Sequence, residues 1–271
     1  MNQLQKIELE MLKAFIDVCD KLNLKYYLVC GTALGAVKYN GFIPWDDDID
    51  VGLIREEYEV FCKHAQKLLP QELFLQTHET DPCYPHIFAK LRNSNTTYIE
   101  KNTEHISINH GVYIDIFPLD GYPKDSREIE VFEKRKMLYQ RRLVCAFPPP
   151  DGINNKIRYY VKRVLGYHLN RQKIISEYTK LLTNFPVCDS DYICNHGNWQ
   201  GHLEYAPAEQ YGVGAVMNFE GIKVRVPALY DEYLTQKYGD WRADIPQEQK
   251  VGHHHYKILD LNKSYTYYIN Q

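Results

Sequence analysis

Four carboxylates fall within five residues at Asp46, Asp47, Asp48 and Asp50, and Ile49 and Val51 interleave with the last of them. Residues two apart on an extended chain project to the same face. Asp48 and Asp50 then stand about 6.6 Å apart at Cα, from the usual rise per strand residue. Carboxylates at that distance can converge on one or two Mg2+ ions, with Mn2+ as the alternative. Such ions prefer oxygen ligands and keep water positions open to a substrate phosphate. Asp46 has the same phase but precedes the strand, so it is a further candidate ligand. Asp47 has the opposite phase and is read as a cap for a backbone N–H. A third acid comes from far along the chain: Asp115 is the lone carboxylate in the apolar run VYIDIF, 112–117. Burying it is costly unless a cation meets it. The set suits phosphoryl transfer, in which metal neutralises phosphate charge and little covalent chemistry falls to the protein. Asp115 could instead accept the proton of an acceptor hydroxyl. A calcium or purely structural carboxylate cluster is the competing reading.

Other residues could complete such a site. The run KYYLVC (25–30) reads as a strand feeding Gly31 and Thr32 and then a short helix. A turn of that kind presents backbone N–H groups at a helix start, which seats phosphate; tight packing is the plainer reason for Gly31 and Gly35. Lys90 and Arg92 either project into solvent or meet a phosphate. Among His253, His254 and His255, His254 is a candidate phosphate contact, against an exposed loop as the alternative. No G-x-x-x-x-G-K-[ST] phosphate loop, protein-kinase set or G-x-S-x-G elbow occurs.

The elements that must position these residues follow from periodicity. Leu4, Ile7, Met11, Phe15, Val18 and Leu22 define a helix over 3–23. A strand is expected at 48–53, a helix at 55–69 stopped by Pro70, and a strand at 73–77. Residues 86–91 and 96–100 read as a hairpin, and 112–117 as a strand ended by Pro118. From 126 to about 183 helical periodicity dominates, interrupted by Pro148, Pro149 and Pro150. Lys156, Arg158, Lys162, Arg163, Arg171 and Lys173 line this region, opposed only by Glu177 before Lys180. They form either a solvated face or a surface for an anionic membrane or polyanionic acceptor. Strands at 192–195, 213–219 and 223–226 and a helix from Pro227 to Gly239 complete the reading. The expected fold is α/β or α+β: a mixed sheet flanked by helices, in a single domain over 1–271 with a helical insertion at about 126–183.

Composition narrows the function. With 271 residues and a net charge of −3, a general nucleic-acid-binding surface is not expected. Seven cysteines without a C-x-x-C pair suggest reduced thiols in a cytosolic protein. The start MNQLQKIELE has no signal-peptide core, and no run reaches membrane-spanning length. A cytoplasmic protein, peripheral at the inner face of a membrane, fits best.

The stretch GTALGAVKYNGFIPWDDDIDVGLIREEYEVF resembles the signature of the LicD family, which includes the fukutin-related proteins. The similarity continues in KLRNSNTTYIE and GVYIDIFPLDG and resumes in FEGIKVRVPALYDEYLTQKYGDWRADIP. The resemblance implies a nucleotidyltransferase-like core and transfer of a phospho-alcohol, above all phosphocholine, from a CDP-linked donor. The implied acceptor is a sugar hydroxyl on a glycan or lipid-linked glycan of teichoic acid, lipopolysaccharide or capsule type. It also implies that Gly31 and Thr32 hold donor phosphates, that Asp48 and Asp50 bind metal with Asp46 as an addition, and that Asp115 is the third acid. Two rivals stay open: transfer of a nucleoside monophosphate to a small molecule, and a non-catalytic glycan- or choline-binding module.

Overall fold

A computed structural model describes the chain apart from residues 148, 150, 151, 165–169, 198–203, 253, 254, 270 and 271. The first amphipathic run forms α1 (Gln3–Lys21), opened by a capping box. The Gln5 N–H donates to Asn2 Oδ1 at 2.8 Å and the Asn2 N–H donates to Gln5 Oε1 at 3.0 Å, so two orphan donors of the helix start are satisfied. Then come β1 (Tyr27–Leu28), α2 (Cys30–Tyr39), β2 (Asp50–Ile54), α3 (Arg55–His64), β3 (Leu73–Gln76), β4 (Ala89–Asn93), β5 (Thr97–Glu100) and β6 (Val112–Gly121). Three helices follow as the expected insertion: α4 (Ser126–Ala146), α5 (Ile153–Val164) and α6 (Arg171–Leu182). The chain continues through β7 (Tyr192–Asn195), β8 (Tyr205–Pro207), α7 (Ala208–Tyr211), β9 (Ala215–Phe219), β10 (Ile222–Val226), α8 (Tyr230–Tyr238), β11 (Tyr256–Asp260) and α9 (Thr266–Ile269).

The α/β class and mixed sheet are as expected. The main sheet runs β1-β2-β6-β4-β3, with β7 also on β6 and β8 on β7. Only β2 and β6 pair in parallel; every other neighbour is antiparallel. Strand β6 is buried along its whole length. Its N-terminal half pairs with β4 and its C-terminal half with β7, while β2 holds the opposite edge. The strand continues through Pro118 instead of ending there. Asp115 donates its N–H to Ile49 on the β2 side at 2.8 Å, so by alternation the missing N–H of Pro118 falls on the other edge. There β4 has ended opposite Ile116 and β7 begins opposite Leu119. Proline therefore deletes no ladder bond.

Two further expectations are corrected. Strands β4 and β5 do not pair as a hairpin: β4 lies between β3 and β6, and β5 pairs with β11 near the C-terminus. Both edges of β4 are occupied, so β5 finds its partner elsewhere. Strand β2 begins at Asp50, leaving Asp48 in the loop before it. Between β9 and β10, Glu220 and Gly221 have φ of 48° and 86°, the left-handed pair a tight hairpin needs.

The principal core combines α1 (Leu12, Phe15, Val18) with sheet residues such as Val51, Leu91, Ile114 and Ile116. A second cluster lies under the insertion, where Phe132, Leu143, Ile174 and Tyr178 meet Tyr122 and Cys194. The halves are tied at the end of β6. Arg55 Nε and Nη2 donate to the two oxygens of Asp120 at 2.6 and 2.7 Å, and Asp120 is buried. Breaking a buried pair by removing one partner costs about 3–5 kcal/mol. Arg55→Met is expected to lose that much in urea denaturation, and Arg55→Met with Asp120→Leu to recover most of it. A loss under about 1 kcal/mol for the single change, as for a surface pair, contradicts this role.

Candidate active site

The parallel register of β2 and β6 sets Asp50 directly beside Asp115, and the antiparallel register of β6 and β4 sets Asp115 beside Lys90. Directly opposed residues share a face, so Asp50, Asp115 and Lys90 form one row across neighbouring strands spaced about 4.8 Å apart. The two aspartates are 9% and 7% exposed and Lys90 only 2%. Lys90 Nζ lies 2.9 Å from Asp115 Oδ1 and 3.7 Å from Glu100 Oε1, and 3.3 Å from the centroid of the Tyr113 ring. Backbone bonds pin the row. Asp50 accepts from the Val29 N–H at 3.1 Å, and its own N–H donates to Thr32 Oγ1 at 2.8 Å. Thr32 thus couples the start of α2 to the first residue of β2.

Asp46, Asp47 and Asp48 precede this row in the loop. Each offers a carboxylate oxygen, and the three oxygens lie within 4.8 Å of one another. The two-residue alternation that set Asp47 apart holds only within a ladder, and this loop is outside one. Asp47 is therefore a candidate the alternation missed; the signal was the unbroken Asp-Asp-Asp run. The buried Gln5 side chain donates to the Asp46 carbonyl at 3.0 Å and steadies the loop. A Cβ at Gly31 would lie 2.9 Å from Asp46 Oδ2, so glycine there admits the carboxylate against the helix start. Gly35 serves packing: its Cβ would fall 2.5 Å from the Gly41 carbonyl oxygen. An all-oxygen donor set at this spacing fits a hard divalent cation.

Two expectations from charge and position change. Arg92 is fully buried, and its guanidinium donates to Gln76 Oε1, the Gly111 carbonyl and Glu100 Oε2. With its donors spent inside the sheet, it positions Glu100 and does not reach toward a phosphate. Burial opposes ionisation of Glu100, but Lys90 and Arg92 overcome it and hold the carboxyl well below its ordinary range. Lys90 faces Asp115 rather than solvent. His254 lies outside the described residues.

Behind the Gly31 turn lies a group that sequence reasoning did not find. Cys30 takes a left-handed φ of 52°, unusual for a residue with a Cβ. Its N–H donates to the Tyr233 hydroxyl at 3.1 Å. Nearby, Lys237 of α8 is paired with Glu204, both almost wholly buried. Burial opposes the charge of Lys237, but its surroundings, Glu204 among them through charge and hydrogen bond, overcome this and favour the ammonium. Only the fold brings these distant positions together.

Alongside the row is a cavity of about 670 Å³ between the sheet and the insertion, lined among others by His86, Phe88, Phe147, Tyr159, Tyr178 and His196. Among the described residues no carboxylate lines it. Phe88 packs on Phe117 with ring centroids 4.6 Å apart, and Phe117 shares its face of β6 with Asp115 two residues away. Burial pushes His86 down to about 3 and His196 well below its ordinary value. In the unfolded chain both rings protonate as pH falls through about 6.5, whereas the folded protein resists. Their contribution is therefore complete above pH 6.5 and declines below it, by up to about 1.4 kcal/mol per pH unit for each ring. His196→Phe is expected to shrink the difference in unfolding free energy between pH 7 and pH 5 by about 2 kcal/mol. An unchanged difference in urea denaturation contradicts the assignment.

Known proteins are similar to this chain. The family described as LicD/FKTN/FKRP, nucleotidyltransferase domain, matches residues 23–148, a span that includes Asp46, Asp47, Asp48, Asp50 and Asp115. The chain is 28% identical over 262 residues to the lipopolysaccharide cholinephosphotransferase LicD of Haemophilus influenzae, covering 94% of this chain and 96% of that protein. An uncharacterized protein of Rickettsia prowazekii is 31% identical over 153 residues, 56% of this chain and 53% of that one. A similar one from Rickettsia typhi is 42% identical over 62 residues, 23% of this chain and 19% of that one. The chain thus matches the LicD family over residues 23–148 and is similar along nearly its whole length to a LicD cholinephosphotransferase.

Proposed function

We propose that this chain transfers a phospho-alcohol, phosphocholine first among the choices, from a CDP-linked donor to a hydroxyl of a cell-surface glycan precursor, with Mg2+ as the metal. Likeness to the LicD family model and to a cholinephosphotransferase supports a transferase of phosphorus-containing groups. The observation that carries the finer reading is the gathering of carboxylates: Asp46, Asp47 and Asp48 beside the Asp50–Asp115 pair, at the Gly31–Thr32 turn. The name of the Haemophilus influenzae relative supports phosphocholine as the group and lipopolysaccharide as one acceptor type. Teichoic acid and capsule precursors remain within the proposal, as does a lipid-linked acceptor at the inner face of a membrane. Among the described residues no helix is long and apolar enough to cross one.

Each residue has a role in this scheme. Asp46, Asp48, Asp50 and Asp115, joined by Asp47, are the candidate metal ligands. Bound divalent metal would supply charge neutralisation at the donor phosphates. The Gly31 and Thr32 amides, at the start of α2, favour phosphate through the helix dipole. Asp115 would either join the metal ligands or accept the acceptor hydroxyl's proton; Lys90 Nζ lies 2.9 Å from its carboxylate. The lipid or sugar portion of a substrate finds apolar and aromatic surface in the neighbouring cavity.

Asp48→Asn and Asp50→Asn are expected to lower turnover by about 10²–10⁴-fold, the range for losing a positioned catalytic group, while far-UV circular dichroism is unchanged. Near-normal turnover in both sinks the assignment, and choline binding without turnover in the unaltered protein would favour the binding-module rival. CDP-choline, CDP-ribitol and CDP-glycerol, each with Mg2+, separate the alcohols by thermal shift. The true donor at a hundredfold over its dissociation constant should stabilise by about 2.7 kcal/mol. No shift from any of them counts against a CDP-linked donor.

A further inference from the structure

Helix α5 buries little of its apolar surface. Ile153, Ile157, Tyr160, Val161 and Val164 recur at helical spacing and form one stripe about 100° wide, and they are 78%, 54%, 63%, 50% and 81% exposed. The less exposed side of the helix is the one carrying Tyr159, which lines the cavity together with Asn155 and Arg158. Val144, near the end of the neighbouring α4, is 74% exposed and adds to the apolar surface. Charge follows a matching pattern. From residue 152 to 176 the sequence contains Lys156, Arg158, Lys162, Arg163, Arg171 and Lys173 and no Asp or Glu, in a chain whose net charge is −3. By helical position, Lys156 borders one side of the stripe and Arg158 lies beyond the other.

We propose that this outer face of α5 docks on an anionic lipid bilayer. The stripe enters the boundary between headgroups and acyl chains, and basic side chains at its edges reach the lipid phosphates. Self-association would set two acid-free basic helices against each other, so charge disfavours a second copy as the occupant. A bilayer supplies apolar depth and negative charge together. Docking there holds the cavity, and the acidic row beside it, close to the surface where a lipid-linked acceptor resides. The inference deepens the acceptor class proposed above, yet its test needs neither donor nor acceptor, so its failure is separable from failure of the transferase reading.

The test is co-flotation of the whole chain with vesicles of phosphatidylcholine, with and without phosphatidylglycerol. Binding is expected to need the anionic lipid and to weaken as salt rises. Ile157→Asp and Val161→Asp should each lower partitioning about tenfold or more. Lys156→Glu should lower it several-fold on the anionic vesicles. Circular dichroism establishes that each variant is folded, and Val131→Asp, at an exposed site near the start of α4, controls for added charge elsewhere. No binding to anionic vesicles overturns the proposal. So does binding that survives both aspartates, and so does equal loss in the Val131 control.

Discussion

Crowded negative charge is the constraint on which the rest of this structure depends. Asp46, Asp47 and Asp48 bring carboxylate oxygens within 4.8 Å of one another, and the Asp50–Asp115 pair stands beside them. At an effective dielectric of about 20, two unit charges at that separation repel by roughly 3–4 kcal/mol. A fold that keeps them together must hold the backbone firmly and place counter-charge nearby. Both are present. Ladder bonds, Thr32 and Gln5 fix the backbone. Lys90 meets Asp115 from the adjacent strand, with Glu100 and Arg92 holding the next layer. At the Asp115 end of the row that counter-charge is in direct contact, with Lys90 Nζ 2.9 Å from the carboxylate.

Strand β6 connects this site to the rest of the molecule. Its first half carries Asp115 between β2 and β4, and its second half receives β7 and the Arg55–Asp120 pair. Pro118 falls at the handover, where one partner strand has ended and the next begins. The insertion packs its own apolar cluster on this second half, and the cavity opens between the two parts. A substrate with a charged end and an apolar or glycan portion would find complementary surface for each along one strand.

Much of the site was legible because its residues are local. The Gly-Thr turn, the acidic run and the lone acid in VYIDIF can be read from spacing and from the cost of burying charge, and the family blocks were recognisable in the sequence itself. Long-range pairing was not legible. Nothing local tells β5 to pair with β11, or Arg92 to spend its donors on Gln76, Gly111 and Glu100. The Glu204–Lys237 pair likewise depends on how two distant segments meet behind α2. Pro118 misled because proline usually ends a strand, and only the change of partner on that edge shows why it does not. Asp47 was set aside by a strand rule applied three residues before β2 begins.

The central claim is that the acidic site moves a phospho-alcohol and leaves a nucleoside monophosphate behind. It is tested most directly by phosphorus NMR of the products formed from CDP-choline, Mg2+ and a glycan-precursor acceptor. The account predicts release of cytidine monophosphate together with a new phosphodiester on the acceptor, both absent with Asp50→Asn. Release of pyrophosphate, or of phosphocholine with the nucleotide left on the acceptor, would contradict it.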